Sequence, residues 1–152
     1  MTRSSGRFAI RVSFLLPILL FLVVATASAQ VGVRGGISID PDQGYFGGHY
    51  ETPPLIDRLY FRPNLEIGLG DDVTHVGGNM EFIYKFPRKQ NWNLYAGGGP
   101  AINFYNFDND TNTEGGLNLI VGAEQAKGLM FEAKFGVFDS PDFKFGVGWT
   151  FR

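Results

Sequence analysis

Cysteine is absent from all 152 residues, which excludes a disulfide framework, a thiolate metal site and lipid attachment through a cysteine. Histidine is nearly as scarce, with only His49 and His75, and beyond residue 29 the only serines are Ser38 and Ser140. Candidates for imidazole or hydroxyl chemistry are therefore few. The Ala, Leu, Glu and Lys runs that build helices are also missing from that part of the chain. Positive charge is in short supply. The chain has 13 Lys and Arg against 15 Asp and Glu, and setting aside Arg3, Arg7 and Arg11 leaves ten against the same fifteen, a net charge of about −5. That balance argues against a nucleic-acid partner.

The first residues have the three-part layout of a secretory signal peptide. Arg3, Arg7 and Arg11 precede an apolar run from Phe14 to Val24, and Ala27-Ser28-Ala29 follows before Gln30. The run is shorter than the roughly 18 apolar residues a membrane helix needs, and it contains Pro17. Residues 1–29 are expected to be a cleaved signal segment, and residues 30–152 one domain.

What that domain has in abundance is glycine and aromatic residues. Of 21 Gly, only Gly6 precedes Gln30, and of 15 Phe, 6 Tyr and 2 Trp, only Phe8, Phe14 and Phe21 do. Such a composition favours strands and tight turns. Apolar and polar residues alternate with period two in eight segments, at 31–40, 44–52, 59–69, 73–86, 92–104, 115–124, 129–138 and 143–151. In the last, Phe143, Phe145, Val147, Trp149 and Phe151 alternate with Lys144, Gly146, Gly148 and Thr150. Ile83 breaks the alternation of the fourth. Pro63 and Pro100 fall inside segments and are expected to mark bulges, since proline cannot donate a ladder bond.

Alternation fits two opposite objects, a soluble sandwich with an apolar core and a membrane barrel with an apolar exterior. Volume separates them. An eight-stranded barrel has room inside for few large side chains, and the apolar face is too bulky and too aromatic to fit. The other face mixes glycines with Arg34, Arg62, Lys85, Lys134 and Lys144 and with Glu66, Glu81, Glu124 and Glu132. Charges so nearly balanced suit a packed lumen where each is paired. The expectation is an all-β, eight-stranded antiparallel up-and-down transmembrane β-barrel.

The final strand, Lys144-Phe-Gly-Val-Gly-Trp-Thr-Phe151, resembles the C-terminal assembly signal of the small outer-membrane barrels of the OmpA and OmpX type, with Lys144, Gly146, Trp149 and Phe151 in its four specified places. Tyr95-Ala-Gly-Gly-Gly-Pro-Ala-Ile-Asn103 is similar to Gly-rich strands of that family. Arg152 departs from it, because such barrels commonly end on the aromatic. The resemblance implies residence in the bacterial outer membrane as a monomer, contact with its lipid and lipopolysaccharide, and insertion by the barrel assembly machinery.

Counted from a periplasmic N-terminus, the outward connections are 41–44, 70–73, 107–114 and 139–142, all short. Eight of the nine aspartates lie in or beside them: Asp40, Asp42, Asp71, Asp72, Asp108, Asp110, Asp139 and Asp142. Aspartate starts turns, and hard cations also favour such oxygens. Asp108-Asn-Asp110 lacks the glycine and glutamate spacing of a calcium loop. Some small barrels of this kind act on lipid A through His and Ser, but no such pairing occurs here and both histidines fall on the lumen face. A narrow pore is the other alternative, opposed by the charged lumen. No catalytic residue, metal or cofactor is expected. Tyr84, Phe86, Trp92, Trp149 and Phe151, near segment ends, are expected to anchor at the membrane interface.

Overall fold

The computed structural model describes residues 29–71, 73–107 and 110–152. The expected signal segment, apart from Ala29, lies outside these, as do Asp72, Asp108 and Asn109. The described residues form eight strands: β1 (Gln30–Ile39), β2 (Gln43–Glu51), β3 (Leu59–Leu69), β4 (Thr74–Lys85), β5 (Trp92–Phe107), β6 (Asp110–Gln125), β7 (Leu129–Phe138) and β8 (Phe143–Thr150). Each pairs antiparallel with its sequence neighbour. β8 returns to β1, from Gly32 opposite Thr150 to Ile39 opposite Phe143, and closes the barrel. Closure removes both sheet edges and with them the soluble-sandwich alternative.

The wall is staggered. Cross-strand neighbours followed from Gln30 through Glu51, Arg62, Glu81, Gly99, Asn118, Gly136 and Asp142 return to β1 at Asp40, ten residues from the start. Such a stagger tilts the strands and fixes the width of the lumen.

Two expectations need correction. Pro63 and Pro100 are not bulges. Pro63 faces Met80 between the pairs Arg62–Glu81 and Asn64–Asn79. The β4–β5 register is the same at Asn79–Ala101 and Phe82–Gly98, on either side of Pro100. A bulge would add a residue and turn every later side chain to the wrong face, so the ladder forgoes a bond instead. The connection at 107–114 is also far shorter. β5 and β6 are each 16 residues long and pair up to Phe107–Asp110. Thr111, Asn112 and Thr113 carry no apolar period and are exposed, so their pairing rests on the backbone, which leaves no trace in side-chain patterning.

The faces fall as the alternation requires. Outward-pointing residues along β4 to β8 include Met80, Phe82, Leu94, Ile102, Leu117, Leu119, Phe131, Phe135, Phe145 and Trp149, all exposed. Inward-pointing Arg34, Arg62, Glu66, Glu81, Glu124, Glu132, Lys134 and Lys144 are buried. Ile83, the break in the pattern, points inward and packs with Tyr95, Ile120 and Met130 in a small apolar cluster. Apolar contiguous surface on this scale marks a face that meets something other than water.

Inward-facing glycines lie tight against the neighbouring backbone. A Cβ at Gly99 would collide with the Met80 carbonyl oxygen, whereas one at Gly78, on the outer face, would meet nothing within 4 Å. Gly99→Val should therefore lower stability by about 1–3 kcal/mol or prevent closure. Gly78→Ala should stay within about 0.5 kcal/mol of the parent, both read from denaturant unfolding of the refolded barrel.

Candidate functional site

Inward side chains of all eight strands converge on one lumen, and its centre is an ion-pair network. The Lys134 ammonium lies 2.6 Å from Glu66 and 2.6 Å from Glu81. Lys144 donates to the other oxygen of Glu66 at 2.9 Å. Arg34 donates to Glu132 at 2.9 Å and lies 3.6 Å from Glu66 and 3.7 Å from Glu81. Tyr95 donates its hydroxyl proton to Glu132 at 2.8 Å.

A second cluster lies toward the mouth where β1 begins and β8 ends, called here the terminal mouth. Arg62 donates through Nε to Glu51 at 2.8 Å and through Nη2 to Glu124 at 3.0 Å. Lys85 bridges the same two carboxylates at 2.6 and 2.7 Å. Glu132 joins the clusters, since Arg62 also lies 3.6 Å from it. Arg62 Nη1 and the outer Glu81 oxygen make no hydrogen bond, but each is within ion-pair distance of an opposite charge.

The structure thus brings all nine of the sequence-derived lumen charges, Arg34, Arg62, Glu66, Glu81, Lys85, Glu124, Glu132, Lys134 and Lys144, into one connected set. It adds two that sequence reasoning left out of the network. Glu51 completes a balance of five carboxylates against five cations, and its position at the end of the weakly patterned β2 concealed it. Arg152 reaches back to Glu124 at 2.9 Å, a role that no periodicity signals.

Neutral polar groups fill the remaining space. Asn118 donates to Asn79 at 2.7 Å, and Asn79 donates to Asn64 at 2.7 Å. This ladder crosses above β5, which at that level offers only Gly99, paired with Asn118. Arg34 Nε donates to Nδ1 of His49 at 3.4 Å. That assigns the ring proton to Nε2, which lies 2.9 Å from the Thr150 hydroxyl.

His75 is 2.9 Å from Asn103 Oδ1, and Asn103 Nδ2 lies 3.4 Å from the Ser140 hydroxyl. A nucleophilic hydroxyl needs the imidazole as its direct neighbour. Here an amide stands between them, and its Nδ2 can only donate to the serine. His49, His75, Ser38 and Ser140 are all buried inside the barrel, away from the outer face.

Arg62, Glu66 and Glu81 have no exposed surface at all. The middle of the lumen is therefore closed to water. Open space is found at the mouths: about 280 Å³ at the terminal mouth, beside Glu51, Lys85 and Arg152, and about 360 Å³ at the distal mouth, beside Asp40, Asp139 and Asp142. Among the described residues, no group of three or more His, Asp or Glu side chains is placed to hold a metal ion.

Charge outside the lumen is segregated by mouth. Around the distal mouth, charged residues of the described set, Asp40, Asp42, Asp71, Asp110, Glu114, Asp139 and Asp142, are all acidic. Around the terminal mouth they are Arg58, Arg88, Lys89, Lys127 and Arg152, with only Asp57 opposing.

The four residues resembling an assembly signal split by face. Lys144 and Gly146 point inward, and Trp149 points outward. Phe151, just beyond β8, is exposed and donates its N–H to Val31 O at 2.8 Å. The five expected anchors gather at the terminal rim, where Tyr84 meets Phe86 edge-on at 5.4 Å and Trp92 stacks on Phe131 at 6.0 Å.

No family profile matches this sequence, and no curated protein is significantly similar to it. Solved structures do match. The crystal structure of the N-terminal β-barrel domain of Pseudomonas aeruginosa OprF superimposes with a TM-score of 0.62 and 16% identity, covering 81% of this chain and 96% of that one. The fold is that of an OmpA-type barrel.

Removing one member of the network strands its partners in a dry interior, so Glu66→Leu, which leaves Lys134 and Lys144 short of a carboxylate, should cost about 3–5 kcal/mol. Adding Lys144→Met should restore part of that loss, a coupling a double-mutant cycle of unfolding free energies will read.

Proposed function

We propose that the chain is an integral protein of the bacterial outer membrane with a structural role in the envelope, neither an enzyme nor an open pore. The observation that carries this reading is an outer wall of exposed Leu, Ile, Val and Phe around a closed barrel whose charges are paired inside. Only a lipid surround makes that apolar belt stable, and only a closed sheet satisfies every backbone group in it. Residues 1–29 would direct export. Lys144, Gly146, Trp149 and Phe151 would be read by the barrel assembly machinery, and the anchoring aromatics would set depth in the bilayer. The folded form would be a monomer, with lipid and lipopolysaccharide as its neighbours.

The same geometry argues against the alternatives. Lipid A chemistry needs an activated hydroxyl at the lipid face, and the histidines and serines are enclosed by the wall. A pore needs a wet path, and the middle of the lumen has none.

The test is outer-membrane fractionation followed by gel migration with and without boiling. The expected result is outer-membrane recovery and a faster-moving band without boiling. A periplasmic monomer indifferent to heating would overturn the reading. Within the wall, Leu119→Arg should cost about 2–4 kcal/mol of stability in bilayers, measured by urea unfolding from vesicles. An unchanged midpoint would count against a lipid-facing Leu119.

A further inference from the structure

A cavity of about 530 Å³ opens on the outside of the wall at the terminal rim, lined by Phe86, Pro87, Lys89, Trp92 and Leu94. Its walls are held by backbone rather than by side-chain chance. Phe86 N donates to Leu94 O at 2.9 Å. Lys89 and Trp92 exchange N–H···O bonds of 2.9 and 3.1 Å around a two-residue turn, in which Gln90 takes a positive φ of 56°. Asn91 O accepts from Ala126 N at 3.1 Å, and Trp92 pairs with Gln125. The 126–128 turn, carrying Lys127, is thereby fixed beside the turn from Lys89 to Trp92, whose two end residues line the cavity. The hollow is thus preformed, apolar within and cationic at its edge. Lys89 and Lys127 are both exposed, and neither has a carboxylate at ion-pair distance among the described residues.

We propose that this cavity is a binding site for an anionic phospholipid, with an acyl chain against Phe86, Trp92 and Leu94 and the phosphate between Lys89 and Lys127. The inference rests on the membrane reading above and adds a specific lipid contact to it. Charge complementarity selects the occupant. The hollow lies on the basic rim of a barrel whose other rim is acidic, on the outer wall where lipid would lie, and beside the clustered aromatics. Preformed apolar pockets with a few fixed polar groups are how ligands of this kind are held, and basic residues at a membrane surface favour anionic headgroups. A zwitterionic lipid fills the apolar part equally but gains less from the two lysines.

Trp92 lines the cavity and reports on it. With Trp149→Phe, it is the sole tryptophan of the chain. The barrel is refolded into phosphatidylcholine vesicles containing a minor fraction of either phosphatidylglycerol or phosphatidylcholine brominated near the headgroup, and Trp92 quenching is compared. Phosphatidylglycerol should be preferred about fivefold or more, and Lys89→Gln with Lys127→Gln should abolish the preference. Arg58→Gln, on the same rim but not among the residues that line the cavity, should leave it intact. Equal quenching by both lipids, or an equal loss in Arg58→Gln, would overturn the site while leaving insertion, seen as heat-modifiable migration, in place. Failure to insert at all would overturn the membrane reading and the site with it.

Discussion

A charge inside an eight-stranded barrel has no water to turn to, and the architecture of this protein follows from that constraint. An unpaired carboxylate or ammonium in a dry interior is too costly for a fold of ordinary stability. The strands therefore bring five glutamates and five cations to contact distance. Glu66 serves Lys134 and Lys144, Glu132 serves Arg34 and Arg62, and Glu51 and Glu124 share Arg62 with Lys85. Inward side chains need space, which the inward glycines provide, Gly99 beneath the asparagine ladder being the plainest case. Once the lumen is taken up by ions, amides and the small cluster of Ile83, Tyr95, Ile120 and Met130, the remaining large apolar residues have only the outside left.

Much of this was legible beforehand, for a reason specific to strands. Period-two alternation reports which face each residue takes, so the inward position of Arg34, Glu66, Lys134 and Lys144 could be read from their neighbours alone. Partner choice could not, because it depends on register between strands: Arg34 meets Glu132 over β8, where Arg34 pairs with Gly148 and Glu132 with Gly146, and no single strand contains that information. Glu51 escaped because β2 is rich in glycine and gives a weak pattern. The far end of the β5–β6 hairpin leaves no period-two signal because its last pairs are exposed and polar. A proline inside a strand pattern fits a missing donor and an inserted residue alike, and keeping register at Pro63 and Pro100 preserves the face of every side chain beyond them. Arg152, a departure from the resembling barrels, has a local role, closing over Glu124 at the terminal mouth.

The segregation of charge between mouths gives the barrel a direction. Seven described carboxylates and no cation surround the distal mouth, while arginines and lysines dominate the terminal one beside the clustered aromatics. A neutral, paired lumen separates them, so the net negative charge of the domain resides in its distal connections. Those connections are short, and β5 and β6 are the longest strands, paired up to Phe107–Asp110. A barrel of this form invests its sequence in the wall and its filling rather than in long loops.

The central claim is that the apolar face meets hydrocarbon and the charged face meets only itself. A carbene precursor dissolved in the acyl chains of vesicles holding the folded barrel, activated by light and mapped to single residues by mass spectrometry, tests it directly. Labelling should follow a period of two, marking Leu117, Leu119 and Val121, Phe131 and Phe135, and Phe145 and Val147, and sparing the residues between them. Labels on both faces alike, or none on Phe131 and Phe145, would contradict the account.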